Sequence, residues 1–116
     1  MNEEMTKIVE TATEAVNAAV NPYGFKAYLM DTLDCGEVWF TMWPIDETPR
    51  NRENEFEAIY YFKANGRKNA GDIGFGVMEA DFTDLPADPA KACAIYKKWS
   101  AQKTLEQIIA ETEAGE

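Results

Sequence analysis

Between residues 3 and 20, apolar side chains recur every three or four positions, at Met5, Ile8, Val9, Ala12, Val16, Ala19 and Val20. Glu3, Glu10 and Glu14 are among the polar positions between them. This spacing lays one apolar stripe along a helix. Asn2 stands where an N-cap would accept a backbone N–H, Glu3 and Glu4 suit the positive end of the helix dipole, and Asn21-Pro22 with Gly24 ends the run. From Phe25 the texture becomes that of strands. Phe25 to Leu33 and Glu37 to Trp43 predict a β-hairpin turned by Asp34-Cys35-Gly36. The polar stretch Ile45 to Asn54, with Pro44 and Pro49, predicts a longer loop, and Glu55 to Lys63 a third strand. A fourth strand at Asp72 to Ala80 contains Gly74 and Gly76, which weaken a strand unless they mark a bulge or a place of close packing.

Asp81 to Asp88, acidic and proline-bearing, reads as a connection into a helix. Asp88 would cap it, Pro89 takes its first position, and Ala92, Cys93, Tyr96 and Trp99 follow at helical spacing. Thr104-Leu105-Glu106-Gln107 has the form of a capping box and predicts a separate final helix bearing Leu105, Ile108 and Ile109, with residues 113–116 frayed. The expected architecture is one α+β domain over residues 1–116: an N-terminal helix, a three- to four-stranded mostly antiparallel sheet, and two C-terminal helices.

Alternation along the strands gives that sheet two apolar faces. Val38, Phe40, Met42, Phe56, Ala58, Tyr60 and Phe62 share one, while Trp39, Trp43, Ile59 and Tyr61 fall on the other. In the first strand, Phe25, Ala27, Leu29 and Leu33 oppose Tyr28 and Met30. Either the first helix covers one face and the C-terminal helices the other, or the second face is an interface, to another copy of the chain or to a different protein.

Composition narrows the class. The chain has 116 residues, 46% of them apolar, with three Trp, five Tyr and six Phe, enough for one packed core and too few residues for two. The acidic start and the lack of any apolar run near 20 residues lead to the expectation of a cytoplasmic protein with no membrane association. Cys35 and Cys93 are expected to be reduced.

The net charge of −10 is unevenly spread. Asp31, Asp34, Glu37, Asp46 and Glu47 lie in a stretch without a basic residue from Ala27 to Pro49, and Asp72, Glu79, Asp81, Asp84 and Asp88 in another from Asn69 to Ala90. Arg50, Arg52, Lys63, Arg67 and Lys68 fall between them. If the hairpin and the loop after the fourth strand shared one edge, their acids would merge into a patch that repels nucleic acid and attracts basic proteins. The plainer account is a solvated acidic surface without a partner.

The chemistry available is limited. With no histidine and a single serine, Ser100, a serine triad is excluded, and the commonest general base and metal ligand are missing. Cys35 sits among carboxylates, a poor setting for a reactive thiolate, and Cys93 on an apolar helical stripe reads as a core residue. Asp81, Asp84 and Asp88 match no calcium loop, and Gly71-Asp72-Ile73-Gly74-Phe75-Gly76 lacks the lysine of a phosphate loop. No catalytic, cofactor-binding or metal-binding residues are expected.

The resulting expectation is a non-catalytic acidic module that occupies a basic, nucleic-acid-binding surface of a partner protein, by the electrostatic logic of nucleic-acid mimicry. Its partner-binding residues would be Asp31, Asp34, Glu37, Trp39, Trp43, Asp46, Glu47, Tyr61, Asp81 and Asp84. Direct nucleic-acid binding is disfavoured by the same charge. By analogy of type alone, such a domain suits an inhibitor or accessory protein of a virus or mobile element. The alternatives are an assembly subunit that forms a homodimer through the aromatic sheet face, and, third, a small carboxylate-based enzyme.

Overall fold

The computed structural model describes residues 2–47, 55–64, 66, 68–78 and 81–99. Helix α1 (Glu3–Val20) begins as its sequence dictates: the Asn2 side chain accepts the backbone N–H of Met5 at 2.8 Å. A 3-10 turn (Asn21–Tyr23) follows, and Gly24, at φ +90°, takes the left-handed conformation that turns the chain into the sheet. Asn17 fastens this corner, its side-chain oxygen accepting the backbone N–H of Ala27 at 2.9 Å.

Five strands form one antiparallel sheet in sequence order: β1 (Phe25–Leu33), β2 (Glu37–Pro44), β3 (Glu55–Tyr61), β4 (Ile73–Met78) and β5 (Phe82–Leu85). Helix α2 (Pro89–Trp99) completes the described fold, with the Asp88 carboxylate accepting the backbone N–H of Ala90. The fold is therefore α+β, with five strands where three to four were expected. The extra strand, β5, lies inside the segment read as a connection. Four residues carrying Thr83 and Asp84 and followed by Pro86 show no strand signal of their own. They become a strand by pairing with β4, Leu85 opposite Phe75 and Phe82 opposite Met78. The expected final helix from Thr104, and the fraying at 113–116, lie outside the described residues.

One core unites both described helices with one face of the sheet. Ala12, Val16 and Val20 of α1, and Ala92, Cys93, Ile95 and Tyr96 of α2, pack on Phe25, Val38, Phe40, Met42, Phe56, Ala58, Phe75 and Val77. This corrects the expectation of a helix on each face as far as α2 is concerned, because α2 joins α1 on the same side. A second correction concerns Leu33. A register shift between Leu29 and Asp31 places Leu33 opposite Glu37 and Asp31 opposite Trp39, so both belong to the second face. Leu29 and Met30, beside the bulge, are exposed on this edge strand.

On the second face the two glycines of β4 decide what fits. Gly76 pairs with Glu57 on one side and Asp84 on the other, and the Phe82 ring lies directly over it. From there Phe82 meets Trp39 of β2 edge to face, ring centroids 5.4 Å apart, so two aromatic rings close over the middle strands. A Cβ at position 76 would collide with the Phe82 ring. Gly76→Ala should therefore cost about 1–3 kcal/mol by overpacking, and Phe82→Ala in the same chain should recover part of that loss. Urea unfolding of the two single variants and the double variant measures the coupling. Additive losses would mean that the ring does not occupy this space.

Candidate functional site

The second face carries a cleft of about 550 Å³ beside the Trp39–Phe82 pair. Its floor is Ile59 of β3 with Gly74 of β4, which stand opposite each other in the register. Tyr61 and Phe82 form walls, and Glu37, Asp84 and Lys68 bring charge to it. Position 74 contributes no side chain to this floor, and the Tyr61 ring edge and hydroxyl lie 3.7 and 3.9 Å from where a Cβ on Gly74 would stand.

Tyr61 is 9% exposed, and its hydroxyl has no hydrogen-bond partner among the described residues. Burial raises its phenol above the ordinary tyrosine range, and the Glu37 and Asp84 carboxylates raise it further. Glu37 is held in place by Trp39, whose indole N–H donates to Glu37 Oε1 at 2.9 Å. The cleft is thus acidic around an aromatic interior, and it can accept a cationic or hydrogen-bond-donating group.

Of the residues expected to bind a partner, Glu37, Tyr61 and Asp84 meet in this cleft, and Trp39 supports it through Glu37 and Phe82. Asp31 is exposed on β1, on the same face, and Asp34 is exposed in the β1–β2 turn. Trp43 is 2% exposed and packs inside the molecule. Asp46 and Glu47 follow β2, and Asp81 precedes β5, at the end of the sheet opposite the hairpin tip. The hairpin and the segment after β4 lie at opposite edges of the sheet, so apart from Glu37 and Asp84, which meet in the cleft, their acids do not form the single patch considered above. Phe82, Gly74 and Lys68 were not expected at the site, and Ile59 was expected on this face but not among the partner-binding residues. The signal present was Gly74 and Gly76 at strand spacing, which opens a gap on whichever face carries Ile59 and Tyr61.

Glu57 and Cys93 are buried outside the cleft lining. Glu57, at the centre of β3, is 2% exposed, and its Oε1 has no hydrogen-bond partner among the described residues. Burial, with a hydrogen bond and like charge from Glu55, pushes its carboxyl up to about 7. Cys93 is buried and unpaired, its thiol pushed up to about 11 by burial, and Cys35 is unpaired and exposed. Among the described residues no group of three or more acidic or cysteine side chains is placed to hold a metal, and no helix is long and apolar enough to cross a membrane.

Comparison with known proteins gives no further guide to the site: no protein-family model, no curated protein and no solved structure matches this chain.

Proposed function

We propose that this chain is a non-catalytic protein-binding module that engages a basic surface on a partner protein. The observation that carries this reading is the convergence of Glu37 and Asp84 on one aromatic cleft with Tyr61 between them. Carboxylates around an aromatic cleft repel phosphate and attract arginine and lysine, so nucleic acid itself is the wrong ligand and a protein that binds nucleic acid is a fitting one. A module of this kind acts by occupancy, competing with the phosphate backbone for the partner's basic groove.

The test is displacement of labelled duplex DNA from a set of basic nucleic-acid-binding domains of different folds. Displacement at low salt that fades steeply as salt rises is the expected result, because screening weakens contacts between exposed charges. Failure against every domain at low salt, or binding indifferent to salt, would overturn the proposal.

A second reading, a self-associating assembly subunit, is favoured by one observation: Leu29 and Met30 are each 46% exposed on edge strand β1, whose outer backbone edge has no partner strand among the described residues. Under that reading, light scattering on the eluting protein gives twice the chain mass at low and high salt alike, and Leu29→Lys returns it to a monomer. Under the first reading the mass is that of one chain throughout.

A further inference from the structure

We propose that the cleft over Gly74 is a receptor for an arginine side chain of the partner, an inference that rests on reading the chain as an acidic protein-binding module. Three features point to a guanidinium. Glu37 of β2 and Asp84 of β5 both line the cleft, with Tyr61 of β3 between their strands in the sheet order, so the cleft offers more than one acceptor. Between them the Tyr61 hydroxyl, on a residue nine-tenths buried, has acceptor lone pairs and no partner among the described residues. A guanidinium presents five N–H donors in a plane and can bridge separated acceptors; an ammonium has three donors around a single point and is more strongly hydrated.

The walls add the second half of the match. Tyr61 and Phe82 offer aromatic surface to a planar cation, which stacks or sits over such rings, and the absence of a side chain at Gly74 leaves depth for the aliphatic stem. The cleft exceeds what one side chain needs, so the residues flanking the arginine in an extended segment also find room. Lys68 lines the same cleft and carries the same sign of charge as the ligand. Its removal should therefore strengthen binding.

The probe is a labelled octa-arginine peptide, with octa-lysine as its control, titrated into the intact chain at low salt and followed by fluorescence anisotropy. Octa-arginine should bind several-fold tighter than octa-lysine. Glu37→Gln combined with Asp84→Asn, which keeps shape and removes charge, should weaken the arginine peptide by about tenfold or more. Gln at 37 retains an acceptor for the Trp39 indole, so the variant is expected to stay folded. Gly74→Val should abolish the preference by filling the floor, and Lys68→Ala should tighten binding.

Salt-sensitive binding that is unchanged in both Glu37→Gln/Asp84→Asn and Gly74→Val would overturn the cleft and leave the broader electrostatic reading standing. Equal affinity for the two peptides would overturn the guanidinium assignment. No binding of either peptide at low salt would count against the cleft and the module reading together. If Gly74→Val fails to fold by circular dichroism, the charge-neutral pair decides.

Discussion

Phe56→Ala should lower the free energy of unfolding by about 3–5 kcal/mol, the usual cost of emptying a large aromatic site in a core. Phe56 stands on β3, the middle strand, and its ring joins three other elements. It stacks on Tyr96 of α2 at 4.7 Å, meets Phe25 of β1 edge to face at 5.2 Å, and lies 6.3 Å from Phe75 of β4. Removing it leaves those rings facing a void that close-packed neighbours cannot collapse to fill. Against the roughly 5–15 kcal/mol by which domains of this size are stable, the loss is a large fraction. In urea, with a slope of about 2 kcal/mol per molar, the midpoint should fall by roughly 2 M. Leu29→Ala is the control: it also removes a large apolar side chain, but from a position 46% exposed, and should shift stability by about 0.5 kcal/mol or less. Similar losses for the two would mean that Phe56 is not the packing centre described.

The contrast between those two positions also shows what could be read in advance. Phe25, Leu29 and Leu33 look equivalent as alternating residues of one strand, and only Phe25 enters the core. The register shift after Leu29 moves Leu33 to the other face, and a bulge in an edge strand leaves no mark in apolar periodicity. By contrast, the start of α1, the hairpin turn and the start of α2 were legible because each is decided locally, by Asn2, Gly36 and Asp88. Strand β5 was not, since its four residues owe their conformation to β4.

The candidate site was legible in its parts and not in their arrangement. Glu37, Tyr61 and Asp84 belong to three strands, and the sequence separates them by at least 23 positions. Sheet order alone decides that Glu37 and Asp84 share a cleft while Asp46 and Asp81 stand at the far end. Composition supplied the sign of the charge; topology supplied its focus. The two glycines of β4 are where these levels meet. As sequence they weaken a strand, and as structure one seats the Phe82 ring and the other opens the cleft floor beside Tyr61.

Glu57→Gln should stabilise the protein at pH 8 and leave it nearly unchanged at pH 4. In the unfolded chain the Glu57 carboxyl has an ordinary value of 4.5; in the folded protein it titrates at about 7, chiefly because burial disfavours its charge and secondly because Glu55 stands beside it. Between those values the folded state binds more protons than the unfolded one, so stability falls as pH rises through this window. Below it both states are protonated and the carboxyl carries no charge to bury. Above it the full penalty applies, capped at about 3–4 kcal/mol by the usual 1.4 kcal/mol per pH unit. Glutamine has the same shape and no charge at any pH, and its amide can donate to the Glu55 carboxylate, so the penalty disappears while the packing beneath Trp39 and Phe82 remains. Urea midpoints for the natural chain and the variant, taken at pH 4, 6 and 8, should diverge progressively, the variant gaining on the order of 2–3 kcal/mol at the top of the range. Glu55→Gln should flatten the same pH dependence only in part, because burial, the larger cause, persists. Parallel pH profiles for the natural chain and Glu57→Gln would show that position 57 does not carry a buried, proton-sharing carboxyl.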